Sequence, residues 1–370
     1  MLSLLQITVL GSLLWQSANA RPQSSTSTST ACNNSPALCS RGYGNITHLG
    51  AHDSPFVSNS SNRYTSSGNQ FFNSTTQLDA GVRLLSAQIH SASSTDPSLH
   101  LCHSDCALYD AGPLTTWLAS ISTWLDDNPY DVVTILLVNS VNADATTLAT
   151  QFSSSGITKH AYTPATVPTS AAGWPTLQTL ITANTRLITF VASMPSGNAA
   201  APYLLDEFAS VWENPYDNTS PSNFTCIPDR PATVKGSLTT AKTSGKLFLM
   251  NHFLYLSQLF GIQSPNVDAA STTNSPDTTL AGSLGNAAST CTTQYGSAPN
   301  FILVDWFNVG PAIATVDRLN GVTDNVSGRK SVSTAIMSQT FQGAAVGVDR
   351  GRSAAALVVG FGVAVLAGWI

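Results

Sequence analysis

Asn45-Ile-Thr-His-Leu-Gly-Ala-His-Asp-Ser-Pro-Phe-Val57 is the stretch around which the rest of the chain can be arranged. It opens as an apolar run alternating with polar residues, the pattern of a buried strand. It closes in His52-Asp53-Ser54-Pro55, where the fixed φ and missing N–H of Pro55 stop the strand and start a loop. An imidazole and a carboxylate at the C-terminal end of a strand stand where α/β barrels carry out chemistry. Taken alone, the pair reads as a core histidine beside a turn-capping aspartate, and the rest of the chain has to decide.

Outward from that stretch, 370 residues suffice for one large domain or two ordinary ones. Charged residues are only 9% and the formal net charge is −5, so there is no basic face for nucleic acid. Hydrophobic residues at 42%, with seven Trp and fourteen Phe, argue for a packed core. Much of the remaining polarity is Ser, Thr and Asn, which suits a glycosylated, secreted surface.

Both ends read as targeting signals. Residues 1–20 form a signal peptide, apolar from Leu2 to Trp15 and ending in the cleavage motif Ala18-Asn19-Ala20, although no Lys or Arg precedes the apolar run. Residues 336–370 read as a polar spacer and a C-terminal GPI-attachment signal, with small residues at Gly343-Ala-Ala345 and an apolar tail from Ala354 to Ile370. As an ordinary single-span anchor, that 17-residue tail is at the short limit and no basic stop-transfer segment follows it. The expected location is the outer surface of the plasma membrane, through a GPI anchor.

The six cysteines, Cys32, Cys39, Cys102, Cys106, Cys226 and Cys291, imply disulfides with fifteen formal connectivities. Proximity in sequence favours Cys32–Cys39 and Cys102–Cys106, leaving Cys226–Cys291. Sequons at Asn59, Asn73, Asn218, Asn223 and Asn325 fit the same compartment, whereas Asn45 opens the expected buried strand.

Residues 21–40 are a Ser/Thr-rich leader by composition, and no repeat or composition break divides 41–335. Strands are predicted at about 45–52, 82–90, 98–102, 131–138, 186–191, 246–250 and 301–307, with an obscure one near 203–212. The polar segment 58–75 reads as a long loop, and 257–293 as a short apolar piece within loop. Leu114, Trp117, Leu118, Ile121, Trp124 and Leu125 fall on one face of an amphipathic helix that Asp126-Asp-Asn-Pro129 ends. A shorter helix is predicted over Leu177–Ala183. The fold class is therefore α/β, a single (β/α)8 TIM-type barrel. An open doubly wound sheet competes, but no Gly-rich phosphate loop follows the first strand.

Three strand ends carry reactive groups: His52 and Asp53, His103, and Asp305. In a barrel the first and last strands are neighbours, so Asp305 would lie beside His52 and orient its imidazole, with His103 across the mouth. Two imidazoles, each backed by a carboxylate, form an acid–base pair near neutral pH. His100, Cys102, His103 and Cys106 also look like a zinc set, but a secreted chain favours the Cys102–Cys106 disulfide. His48 and His160 read as structural, and Asn251-His252 as the start of a helix. No Gly-x-Ser-x-Gly elbow is present.

These residues resemble the phosphatidylinositol-specific phospholipase C X-domain superfamily, phospholipase C-like phosphodiesterases with a TIM-type barrel. The likeness rests on His52-Asp53-Ser54, Gly81-Val-Arg-Leu-Leu-Ser-Ala-Gln88, His103, Trp124-Leu-Asp-Asp-Asn-Pro129 with the strand after it, and Asn300-Phe-Ile-Leu-Val-Asp305. It covers about 41–325 and is greatest to the fungal secreted, GPI-anchored branch. The resemblance implies that His52 deprotonates the inositol 2-hydroxyl and that His103 protonates the leaving glycerol oxygen. Asp305 would orient His52, and Asp53 would pair with His103.

Three positions depart from the family. Ser86 replaces an acidic residue, Gln88 replaces an Arg or a calcium-ligating carboxylate, and Asn139 stands where Glu or Lys is usual. No cofactor is assigned, since a divalent metal would lack its usual ligands. Gln88, Asn139 and a protonated His90 on the face shared by Ser86 and Gln88 become the expected substrate contacts. The expectation is a monomeric extracellular phosphodiesterase for a phospholipid or glycerophosphodiester. A non-enzymatic, glycosylated cell-surface barrel is the alternative, supported by the missing cation.

Overall fold

The computed structural model describes residues 30–195, 197–257 and 263–338. The expected signal peptide, and the GPI-attachment signal from residue 339 onward, lie outside the described residues.

Strands β1 (His48–Ala51) and β2 (Leu84–Ser91) are followed by a hairpin of β3 (Leu99–Cys102) and β4 (Asp110–Pro113). Then come β5 (Val133–Asn139), β6 (Leu187–Ala192), β7 (Leu204–Asp206), β8 (Val211–Glu213) and β9 (Leu247–Asn251). A small antiparallel pair, β10 (Tyr255–Ser257) and β11 (Gln263–Pro265), precedes β12 (Phe301–Val304). The frame is a curled parallel sheet in the order β7-β6-β5-β2-β1-β12-β9-β8. No ladder joins β7 to β8 among the described residues, and the single turn Glu207–Ser210 spans that seam. The architecture is thus an eight-stranded α/β barrel of the TIM type, unclosed by hydrogen bonds at one place.

Eight strands stand, but their membership differs from the sequence expectation. Residues 99–102 pair antiparallel with the end of β2 and lie outside the frame, while the obscure segment near 203–212 supplies two short strands, β7 and β8. The alternation of each strand sorts its side chains into two layers. Leu84, Leu136, Phe190, Leu249 and Phe301 fill the barrel, whereas Leu85, Leu137, Val191 and Ile302 pack under the helices.

The predicted amphipathic helix runs Leu114–Asp127 and buries its apolar stripe, each large side chain contributing about 1.5–3 kcal/mol. Its two Trp N–H groups are satisfied, Trp117 donating to Ser74 Oγ at 2.7 Å and Trp124 to Asp79 Oδ1 at 2.9 Å. Helix Leu284–Tyr295 falls in a segment that reads as loop. Its Ser, Thr, Gly and Asn content is unfavourable for helix, but Ser283 caps it and Leu284, Ala288 and Cys291 bury one face.

All six cysteines pair, as Cys32–Cys39, Cys102–Cys106 and Cys226–Cys291. Two boundaries move. Cys32 and Leu38 are buried in the barrel-side layer, and Asn33 accepts from the N–H of Val132 at 2.7 Å, so the packed body includes residues that composition assigns to the leader. Asn45 lies in the short turn Tyr43–Asn45 ahead of β1 and is exposed. Of the other sequons, Asn73, Asn223 and Asn325 are exposed and Asn59 is half-buried. Asn218 is only 1% exposed and its Nδ2 donates to Pro215 O at 3.0 Å, which leaves no room for a glycan in the folded chain.

Candidate active site

His52 follows β1 directly and keeps its ladder, donating its N–H to Val304 O at 2.9 Å. The chain then turns sharply at Asp53, whose φ of +47° lies in the left-handed region that Asp tolerates better than most residues. Ser86 holds this turn, its Oγ accepting from the Asp53 N–H at 2.9 Å and its O from the Ser54 N–H at 2.8 Å. Because β1 and β12 are paired neighbours, Asp305 arrives beside His52 and its Oδ1 accepts from Nδ1 at 2.9 Å. With the proton held on Nδ1, Nε2 is the basic nitrogen. The ring lies flat against Phe253, centroids 3.8 Å apart and planes at 7°.

Asp53 is shared between the two imidazoles. Its Oδ2 is 3.6 Å from His52 Nε2 and 3.7 Å from His103 Nε2. His103 comes from the β3–β4 hairpin, with its N–H donating to Tyr109 O at 3.0 Å and its ring against the face or edge of Phe56 at 5.4 Å. The Cys102–Cys106 disulfide closes the turn that carries it. Thus all four expected reactive residues meet, although the third strand is not part of the frame. Burial pulls the His52 pKa down, but the Asp53 and Asp305 carboxylates outweigh it and the net shift is upward. Burial also raises Asp305, against the opposing effect of His52.

The expected substrate contacts fare differently. Gln88 uses both ends on protein, Nε2 donating to Asp53 Oδ2 at 2.7 Å and Oε1 accepting from the Ser104 N–H at 3.2 Å. It therefore joins the Asp53 turn to the His103 turn. Asn139 is outside the lining of the cleft. Leu136 and Val138 line the cleft, so the strand's alternation turns Asn139 outward, where it bonds Ala143 N and O and Ser193 O at 2.9–3.1 Å. His90 is close enough to feel Asp105, Asp53 and His103, and burial, the largest effect on it, lowers its pKa, which works against a charged imidazole there. Its Nε2 is buried and has no hydrogen-bond partner among the described residues.

Sequence reading missed two groups of residues. The first is Asn69 and Gln70, both fully buried at the end of the segment read as loop. Asn69 Nδ2 donates to Asp305 Oδ1 at 3.0 Å, and Gln70 Nε2 donates to His52 O at 2.8 Å and Val304 O at 3.0 Å. The second is the far wall of a cleft of about 220 Å³ that His52 and Asp53 line. There Arg230 pairs with Glu213 and lies 4.4 Å from the Tyr216 ring. Buried Glu207 has its pKa raised by burial and by Glu213. Nothing local marks these residues: Glu207 and Glu213 stand in the turn Glu207–Ser210 and at the end of β8, and Asn69, Gln70, Tyr216 and Arg230 in connecting segments. Asn251 lines the same cleft, but its neighbour His252 is fully buried, with Nε2 3.0 Å from Thr273 O. His103 is outside the lining and approaches from beyond Asp53.

The residues at the family's calcium positions do not fit a divalent ion. Ser86 and Gln88 bring no charge, and Asp53 Oδ2 already accepts from Gln88, where Ca²⁺ takes about 6–8 oxygens. No group of three or more His, Cys, Asp or Glu among the described residues is placed to hold a metal. The zinc alternative dissolves, since both cysteines are bonded and His100 Nδ1 lies 2.8 Å from Asp110. His48 is core, between Tyr43 at 4.8 Å and Phe301 at 5.7 Å.

Comparison with known proteins points the same way. A family model described as PI-PLC X 1 matches residues 38–320. An uncharacterized secreted protein of Arthroderma benhamiae is 35% identical over 84% of this chain, which spans 66% of that protein's length. A PI-PLC X domain-containing protein of the same fungus is 35% identical over 79% of this chain and 90% of its own length. The solved phosphatidylinositol-specific phospholipase C from Listeria monocytogenes shares the fold, with a TM-score of 0.50 at 14% identity over 78% of this chain and 97% of that one. With a match over most of its length and a relative covered almost end to end, the chain belongs to the PI-PLC X family.

Proposed function

We propose that this protein is an extracellular phosphodiesterase of the PI-PLC type, cleaving a phospholipid or related glycerophosphodiester by paired imidazole acid–base catalysis. The observation that carries this reading is the Asp53 carboxylate lying 3.6 and 3.7 Å from two imidazoles, with Asp305 on the other nitrogen of His52. His52 Nε2 takes the proton of a hydroxyl adjacent to the phosphodiester, and that oxygen bonds to phosphorus. The bond from phosphorus to the leaving alcohol breaks, and His103 gives the departing oxygen its proton. Each transfer supplies typically ~10²–10⁴-fold. Asp305 is a positioning residue, and Asp53 steadies whichever imidazole is charged. Water then opens the cyclic product with the roles reversed.

Three disulfides and a relative named as secreted support the extracellular setting, with GPI attachment as part of the proposal. The test is release of inositol phosphate from phosphatidylinositol vesicles, with and without chelator. His52→Ala and His103→Ala should each lower turnover by about 10²–10⁴ while leaving the fold intact. Chelator should leave the rate unchanged. A second reading, a glycosylated surface protein whose barrel no longer turns over, draws on Gln88, a neutral group with both ends committed. No turnover on a broad phosphodiester panel would select it.

A further inference from the structure

At the opposite end of the barrel from His52, a cavity of about 540 Å³ opens beside Arg41, Lys242, Lys246, Asn45 and Ser170. Its place follows from the strands. Lys246 immediately precedes β9, and Thr47 and Asn300, which also line it, immediately precede β1 and β12. The length of a five-residue strand, about 15 Å, separates it from the catalytic rim.

Among the described residues, three cations line this cavity and no carboxylate does. Both arrangements occur elsewhere in the chain: Arg186 and Arg318 also bond neutral acceptors, whereas Arg83, Lys159, Arg230, Lys235, Arg329 and Lys330 each have a carboxylate partner. Arg41 instead donates to two main-chain oxygens, Asn320 O at 2.8 Å and Asn45 O. Lys246 does the same, to Phe208 O at 2.8 Å and Ala209 O at 2.6 Å. Carbonyls satisfy N–H groups but bring no formal counter-charge; the carboxylate that acts on Lys246 is Asp206, which is outside the cavity lining and makes no ion pair with it. A guanidinium has five N–H donors and an ammonium three, so both side chains retain donors. Lys242 is exposed in the last turn of its helix.

The energetic consequence is direct. Burial disfavours the charged forms of Arg41 and Lys246, a cost that an anion in the cavity would offset. Neutral donors on Asn45 and Ser170 could complete the shell. The volume lies within the ~300–1,000 Å³ of small-molecule sites and exceeds what a bare oxyanion fills. We propose that this cavity is a second ligand site, for a small molecule bearing a phosphate or sulfate group, separate from the catalytic cleft.

Calorimetric titration of the full chain tests this with inorganic phosphate, glucose 6-phosphate and, as the uncharged control, glucose. Carrying His52→Ala in every sample removes turnover, so the readout does not depend on the catalytic reading. Both anions should bind, the sugar phosphate more tightly because it fills more of the cavity, and glucose should not. Lys242→Glu should weaken both by about tenfold or more, and Lys242→Ala by less, since reversing a charge costs more than deleting one. In an otherwise unaltered chain, Lys242→Glu should leave any phosphodiesterase activity unchanged. Equal affinity with and without Lys242→Glu would place the anion elsewhere and overturn the proposal. So would no binding of either anion up to about 50 mM, a concentration at which even millimolar affinity saturates.

Discussion

His52 Nδ1 and Asp305 Oδ1 meet at 2.9 Å across 253 positions of sequence, because Ala51 and Val304 face each other in paired strands. The contact sets the tautomer of His52 and, with Asp53, raises its pKa. For a base, activity appears as pH rises through that pKa, so the acid limb of kcat/KM should lie above the ordinary value of about 6.5. Asp305→Asn should move the limb to lower pH and reduce kcat/KM by roughly 10² or more. A limb unmoved by this change would mean that His52 does not govern the profile.

Asn139→Ala separates a loop brace from a substrate contact. Losing three buried hydrogen bonds to Ala143 and Ser193 should cost about 1–3 kcal/mol, seen as a lower thermal midpoint with KM unchanged. A raised KM at unchanged stability would restore the substrate-binding role.

Acid stability should be set partly by His48 and His252, which burial holds at a pKa of about 4. The unfolded chain protonates them near 6.5, so their contribution is complete above that pH and is lost as pH falls toward 4, by up to roughly 3 kcal/mol each. His52 acts oppositely: its raised pKa gives stability that is complete below the unfolded pKa and lost as pH rises through the folded one. Denaturant melts between pH 7 and 4.5 should show a shallower loss for His48→Gln than for the parent chain. Parallel curves would assign the acid sensitivity elsewhere.

The Cys226–Cys291 bond closes 65 residues and holds helix Leu284–Tyr295 against the chain after β8. The chain-entropy model gives it about 4 kcal/mol. Replacing both cysteines with Ala should lower stability by that order with the catalytic geometry retained. A change below about 1 kcal/mol would show that the unfolded chain is already restrained there.

Peptide mass mapping of protein made through a secretory route should find glycans at Asn59, Asn73, Asn223 and Asn325, and Asn218 bare. Occupied Asn218 would require the segment after β8 to pack differently, since its Nδ2 is enclosed.

What the sequence by itself determined is everything carried by residue type and short-range order. Apolar spacing specified the helix Leu114–Asp127, and the apolar, β-branched run specified β5. Cysteines a few residues apart found each other, and His52, Asp53, His103 and Asp305 stood out as reactive groups at strand ends. Tertiary structure decided the rest. Residues 99–102 look like any other strand until their antiparallel partner is known, and Asn139 faces inward or outward according to the registry of a single residue. Helix Leu284–Tyr295 exists through its cap, its buried face and its disulfide against poor propensity. Asn69, Gln70 and the Glu213–Arg230 wall act through partners 17 to 237 positions away. Periodicity reports on neighbours within a turn or a pleat, whereas those contacts depend on which strands lie side by side.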